Sequence, residues 1–378
     1  MTILHIHDRA GRYGGGEVYL AQLRAGLRLQ GHQCPVLYLT PTGSECDPGE
    51  EMWCERKPHG LFSGFGMRRW LEPLLETIKP DVVHCHCLFS PVSLAWLCKR
   101  VPTVFTLHSL HLLPRRSGCE PMTALGQYER LLRRVMRPAL RRLASWIAPS
   151  EAFAEEIRGE GYQRVTVVPH FTDKRPSSRD DRTEGETILF VGRLSAEKGI
   201  EVFLDALPLL RAQSWRAVVI GEGPLEAPAK QRVVQEGLAD RVRFAGWLSG
   251  ADLDREYERA AVLAVPSTVK EAFGLVGIEA MAFGKPVVAF DAGGIREWLQ
   301  DGKTGYLVRQ GDPSDLATRI DEVLQHPERA RAMGEAGQRL VEERFRVAPH
   351  IHSLLRVYEK AARNGSMGAV PEAYAYRN

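Results

Sequence analysis

Several things are missing from this 378-residue sequence, and each absence narrows what the chain can do. No apolar run approaches the ~18 residues needed to cross a bilayer. Met1–His7 is a short apolar strand, without the basic lead and long apolar core of a signal peptide. The expectation is a cytoplasmic protein, soluble or at most peripheral on the membrane. No cysteine lies beyond Cys119, and the seven present follow no disulfide spacing, which points to a reducing compartment. No charge of one sign dominates: the formal net charge is +3, so bulk charge gives no case for nucleic acid. Two common phosphate-binding patterns are absent. The glycine-rich stretch ending Gly14-Gly15-Gly16-Glu17 has no Lys-Ser/Thr after it and does not fit G-x-G-x-x-G. No Asp-x-Asp metal motif is evident.

What is present is a repeated alternation of short apolar runs with amphipathic segments. A chain of this length suggests two domains, and the alternation predicts α/β architecture in both. Residues 1–173 form the expected first domain and 174–186, polar and aperiodic, the linker. Residues 187–345 form the second domain, 346–363 a terminal helix, and 364–378 a loose tail. In the first half, Ile3–His7 reads as a strand, Asp8 to Gly16 as a glycine loop, and Val18 to Gln30 as a helix. The loop either approaches an anion or merely turns the chain. Thr40 to Trp70 reads as irregular. In the strand Asp81–Cys87, alternation puts His84 and His86 on one face and Cys85 and Cys87 on the other, which splits a four-ligand zinc site. His108 follows the strand Thr103–Leu107, placed either for ligand contact or as a hydrogen-bonded turn residue. Gln127 to Leu143 reads as a basic helix. Its arginines make a solvated face or, on the sharper reading, a peripheral contact with an anionic membrane or polyanion.

The second half carries the chemistry. Arg193 and Lys198 share the loop after the strand Ile188–Val191. A guanidinium fork and an ammonium point charge on one strand-end loop suit a diphosphate. Further on, the strand Val262–Val265 is followed by Glu271-Ala272-Phe273-Gly274 and a helix from Leu275 to Phe283, stopped by Gly284 and Pro286. Glu279 lies eight residues after Glu271. The amides of Phe273, Gly274 and Leu275 would open that helix, an end that attracts phosphate. Asp291-Ala292-Gly293-Gly294 makes a tight turn, and Ile295 opens another helix. Two carboxylates beside an anion site suggest a nucleotide held through its ribose and diphosphate with a sugar attached. The plainer account is one capping and one solvated glutamate.

These motifs carry a resemblance. E-A-F-G-x-x-x-x-E, followed by G-K-P-V-V-A and D-A-G-G-I-R-E, resembles the donor-site signature of retaining glycosyltransferases of family four (glycosyl transferases group 1). Gly192-Arg193 through Lys198-Gly199 matches that family's G-R-x-x-x-x-K-G, and Gly246-Trp247-Leu248 resembles its base-side loop. The resemblance implies the GT-B fold, two Rossmann-like doubly wound domains facing a central cleft, with the terminal helix packed back on the first domain. It implies that Arg193 and Lys198 neutralise the leaving diphosphate, that Glu279 holds the ribose, and that Glu271 with the Phe273–Leu275 amides holds the sugar. His108 would touch the sugar. The loop at Gly14, Gly15 and Gly16, matching the family's G-G-x-E through Gly14, Gly15 and Glu17, would close over the distal phosphate and the acceptor. Pro169-His170-Phe171-Thr172-Asp173 departs from the family's P-N-G-V-D, so that loop is given no role. The implied donor is a UDP- or GDP-sugar, the acceptor a glycan, lipid-linked or small molecule, the setting cell-surface polysaccharide or glycoconjugate synthesis. No metal and no cofactor beyond the sugar nucleotide is implied. Two other readings stay open: a nucleotide-sugar 2-epimerase on the same fold, and a non-catalytic sugar-nucleotide-binding subunit.

Overall fold

A computed structural model describes residues 1–9, 15–40, 51–53, 64–87, 89–109, 134–176 and 186–366. The chain forms two compact units, Met1–Val168 with His350–Asn378, and Pro169–Pro349.

In unit 1 the strands are β1 (Ile3–Arg9), β2 (Val36–Thr40), β3 (Glu51–Trp53), β4 (Val82–Cys85), β5 (Thr103–Thr106), β6 (Ser145–Ala148) and β7 (Val165–Val167). The helices are α1 (Gly15–Leu29), α2 (Gly64–Ile78), α3 (Pro91–Arg100), α4 (residues 134–140) and α5 (Glu151–Gly159). All pairings are parallel, in the order β3-β2-β1-β4-β5-β6-β7. A parallel sheet needs cover on both faces, and β4, β5 and β6 are buried at every position. α1 presents Tyr19, Leu20, Leu23 and Leu27 to the core at helical spacing. The α5 N-terminus is fixed by Ser150, whose hydroxyl accepts from Phe153 N at 3.2 Å.

Unit 2 repeats the plan with β8 (Thr187–Val191), β9 (Arg216–Ile220), β10 (Val242–Gly246), β11 (Val262–Val265), β12 (Val287–Phe290) and β13 (Gly305–Val308). Its helices are α6 (Ile200–Ala206), α7 (Glu226–Gln235), α8 (Gly250–Arg259), α9 (Leu275–Ala282), α10 (Pro313–Gln325) and α11 (Pro327–Arg344). The order β10-β9-β8-β11-β12-β13 is again all parallel. α12 (Val347–Ser366) starts at the end of unit 2 and from His350 onward belongs to unit 1. Both sheets therefore run outward from a first strand in two directions. The reversal falls between β1 and β4 in unit 1 and between β8 and β11 in unit 2. Open α/β sheets bind ligands beyond the carboxyl ends of strands at such switch points.

Several sequence expectations need correction. Gly15, Gly16 and Glu17 are not loop but the first turn of α1. Glycine is a poor helix former, yet the free N–H groups of a first turn tolerate it. Gly14 lies outside the described residues. The segment read as irregular contains β3 and the start of α2, a helix disguised by Gly64, Gly66 and an internal Pro73. Ile295 opens no α-helix; Gly294–Glu297 is a single 3-10 turn. α12 runs to Ser366, past the expected start of the tail; residues 367–378 and most of the expected linker, 177–185, lie outside the described residues. The basic helix is described only from residue 134. There Arg137 is not a solvated charge: it donates to the Glu160 carbonyl at 2.6 Å.

Candidate functional site

The unit 2 switch point is built by two loops. After β8 the chain makes a 3-10 turn over Ala196–Lys198 and ends it at Gly199, which has φ 73°. A Cβ there would sit 1.8 Å from the Pro266 carbonyl oxygen, so only glycine lets this loop press against the end of β11. Thr268 completes the seam, with its N–H donating to Glu197 O at 3.0 Å and its hydroxyl to Ala196 O at 2.8 Å. The seam brings Lys198 to Glu271. Lys198 Nζ donates to Glu271 Oε1 at 2.5 Å, and Ser267 Oγ donates to the same oxygen at 2.5 Å. Glu271 is buried. Its Oε2 has no partner among the described residues. Arg193, on the same loop as Lys198, is exposed.

The backbone around Glu271 is held from a second side. Gly294 N donates to Glu271 O at 2.8 Å, and Glu271 pairs with Gly293 as an isolated parallel bridge. Gly293 has φ 62°, and a Cβ there would meet Glu271 O at 2.6 Å. The glycines of D-A-G-G thus seat the carboxylate. Trp298, fully buried, donates from Nε1 to Phe273 O at 2.5 Å and covers the start of α9. Phe273 is itself buried, and Gly274 caps α9 in the left-handed conformation. Leu275 begins that helix, so the amides assigned from the sequence do lie at a helix N-terminus. One consequence is testable. A Cβ at Gly277 would lie 2.0 Å from the Trp298 ring. Gly277→Ala should destabilise unit 2 by about 1–3 kcal/mol, the usual cost of overpacking. Urea unfolding followed by tryptophan fluorescence checks this; wild-type stability would mean that the ring yields freely.

Glu279, one face along α9, does not join the Lys198–Glu271 pair. Its Oε2 accepts from Tyr257 Oη at 2.8 Å. Burial raises its carboxyl above the ordinary range, opposed by the Lys174 ammonium and the tyrosine hydrogen bond. Lys174 is in turn paired with Asp254. The sequence reading missed Ser267, Tyr257, Lys174 and Trp298. Ser267, four residues before Glu271, and Trp298, next to D-A-G-G-I-R-E, stood beside motifs it had used. It also overlooked that Asp252-Leu253-Asp254 has Asp-x-Asp spacing. In α8 residues two apart do not face each other, and the two carboxylates are spent separately on Arg255 and Lys174.

His108 belongs to unit 1, where it joins a group the sequence did not anticipate. β1 and β4 pair with His5 opposite His84. His5, His84 and His86 bring ring nitrogens within 4.8 Å of one another. The sequence reading, looking only at His84, Cys85, His86 and Cys87, had no third imidazole from β1; the matching His-x-His of His5 and His7 was the available signal. As a metal-ligand set the three are poorly disposed. Both nitrogens of His84 already bond hydroxyls, Nδ1 with Tyr358 Oη and Nε2 with Thr106 Oγ1, each at 2.7 Å. The cations Arg24 and Arg28 also act on His5. Burial is the main cause that pushes His5 and His108 down to about 3, and lowers His84 and His86 well below the usual histidine value. All four are neutral at pH 7. Gly16 adjoins this group: a Cβ there would lie 3.6 Å from His7 Nε2.

Comparison with known proteins places these features in context. A family model described as Glycosyl transferases group 1 matches residues 172–340, and one described as Glycosyltransferase Family 4 matches residues 13–175. The chain is 32% identical to a D-inositol 3-phosphate glycosyltransferase of Geodermatophilus obscurus, covering 96% of this chain and 89% of that one. It is 28% identical to a glycogen synthase of Mycobacterium tuberculosis over 87% of each. Among solved structures it resembles sucrose-phosphate synthase from Thermosynechococcus elongatus, with TM-score 0.80 and 22% identity over 96% of this chain and 99% of that one. It also resembles Anabaena HepE in complex with UDP and glucose, with TM-score 0.76 and 21% identity over 95% and 99%.

Proposed function

The chain belongs to the family-four, group 1 glycosyltransferases, with the GT-B fold of two Rossmann-like domains, and from that premise we propose that it is a retaining enzyme that moves a hexose-type sugar from a UDP- or GDP-sugar. The acceptor would be a glycan, a lipid-linked or a small molecule, as in cell-surface polysaccharide or glycoconjugate synthesis. One observation carries the reading: the Lys198–Glu271 pair bridging the loops after β8 and β11 at the switch point. A sugar nucleotide presents an anionic diphosphate next to neutral hydroxyls. An ammonium bonded to a carboxylate can face both, Lys198 toward the phosphate and Glu271 toward the hydroxyls. The lysine also screens the two negative groups from each other. Arg193 on the same loop adds a second cation for the leaving diphosphate, and the Gly274–Leu275 amides add the field of a helix end. Glu279, oriented by Tyr257, is assigned to the ribose. The expected path is front-face displacement, with a donor phosphate oxygen taking the acceptor proton. HepE, solved with UDP and glucose, supports a uridine nucleotide as the first donor to try. No helix among the described residues is long and apolar enough to cross a membrane, and a peripheral contact with anionic lipid is kept as part of the proposal.

Thermal shift with UDP, GDP, ADP and their sugars tests the reading. A ligand at 100 times its Kd adds about 2.7 kcal/mol of stability. Glu279→Gln should weaken binding of any nucleoside diphosphate, and Glu271→Gln should spare the diphosphate while depressing turnover. No shift with any nucleotide at millimolar concentration overturns the donor site; nucleotide release without any acceptor would favour the 2-epimerase.

A further inference from the structure

Unit 1 contains a continuous line of ring hydrogen bonds. His5 Nδ1 lies 3.1 Å from His86 Nε2, and His86 Nδ1 lies 3.2 Å from His108 Nε2. The rings are stacked along this line, with centroids 5.3 Å apart for His5 and His86 and 5.5 Å for His86 and His108. Three neighbouring strands supply them. His5 is on β1, His86 follows β4 with its N–H bonded to Ile6 O at 2.9 Å, and His108 follows β5. His86 spends both nitrogens on the line.

A neutral imidazole has one N–H and one lone pair, so each ring in such a line donates at one nitrogen and accepts at the other. Only two arrangements are consistent. Either every N–H points from His5 toward His108, or every one points back. They differ in what they place on His5 Nε2. His5 Nε2 is buried and has no hydrogen-bond partner. Pointing back would put an N–H on that nitrogen, with no acceptor, in the field of Arg24 and Arg28. Pointing forward puts a lone pair there, which the two cations favour electrostatically.

We infer that His5 and His86 are positioning residues that hold His108 as its Nδ1–H tautomer. In this arrangement Nε2 of His108 accepts from His86 and Nδ1 carries the proton. The ring is then a neutral hydrogen-bond donor at fixed orientation, further confined by Tyr19, whose ring centroid is 5.2 Å away. A neutral donor at Nδ1 suits a sugar hydroxyl or a phosphate oxygen. That use rests on the donor-site reading above; the direction of the line does not. His7 and His350 also act on His108, and burial keeps both ends of the line neutral.

Long-range 1H–15N correlation spectra of the full chain labelled with 15N-histidine read the tautomer directly, with His108 assigned by its loss in His108→Gln. The expected result is a neutral His108 protonated at Nδ1 at pH 7. In His86→Phe, which keeps a ring but removes both bonds, the population should move to the Nε2–H tautomer that free imidazole side chains prefer. An Nε2–H His108 in the wild type overturns the inference, as does a tautomer unchanged in His86→Phe. If that variant does not fold, the wild-type spectrum still decides. Adding UDP-glucose separates the two claims. An Nδ1–H signal that the sugar nucleotide leaves untouched supports the line and counts against the donor reading. An Nε2–H signal overturns the line whatever the ligand does.

Discussion

Lys198→Ala should cut turnover of the sugar nucleotide by about 10²–10³, equivalent to about 2.7–4 kcal/mol, the scale seen when one preorganised electrostatic contact to a developing anion is removed. The loss has two sources. The leaving diphosphate would lose one of the two cations on its loop. Glu271 would lose the ammonium bonded to Oε1, keeping only Ser267 on that oxygen. A buried carboxylate stripped of its counter-charge repels an incoming anion, so nucleotide binding should weaken together with turnover. Lys198→Ala combined with Glu271→Gln should bind UDP better than Lys198→Ala alone, because the unpaired charge is gone, while turnover stays low. Nucleotide release measured in parallel with UDP titration separates the effects. Wild-type turnover in Lys198→Ala would remove the pair from the mechanism. The folded state should also lose some stability: the Lys198 side chain is 38% exposed but that of Glu271 only 10%, so the substitution leaves a largely buried carboxylate without its counter-charge.

Acidification should unfold unit 1 near pH 5. In the folded state His5, His84, His86 and His108 resist protonation, chiefly because burial disfavours the charged ring. In the unfolded chain the same imidazoles take a proton below about pH 6.5. The unfolded state then binds more protons than the folded one, so stability falls as pH falls, and it is unaffected above that value. Each ring removes about 1.4 kcal/mol per pH unit, or about 2 kcal/mol at pH 5. Four such rings rival the 5–15 kcal/mol that holds a whole domain. Near-UV circular dichroism between pH 7.5 and pH 4.5 reads the transition. His84→Gln should make the pH dependence shallower. Equal stability at pH 7 and pH 5 would mean that water or a counter-charge reaches these rings.

Most of the α/β plan was legible because each strand–loop–helix unit is local. Short apolar runs, glycine turns and helical periodicity each occupy fewer than a few dozen neighbouring residues. G-R-x-x-x-x-K-G and E-A-F-G announced their loops because a close backbone approach demands glycine at fixed offsets, and the structure accounts for Gly199 through its contact with Pro266. α2 was hidden because Gly64, Gly66 and Pro73 oppose helix by propensity, while packing against α3 overrides them.

The sequence by itself determined the elements, the family resemblance and the residue types at the strand ends. Only the tertiary structure decided who meets whom. Lys198 and Glu271 are 73 residues apart, His5 and His86 are 81 apart, and His84 reaches Tyr358 across 274. Such partners become neighbours through strand order, and the order 3-2-1-4 in each sheet is set by crossover packing that leaves no periodic trace in the chain. The charge state of the four histidines was undecided for the same reason: desolvation belongs to the assembled surroundings, not to the residue.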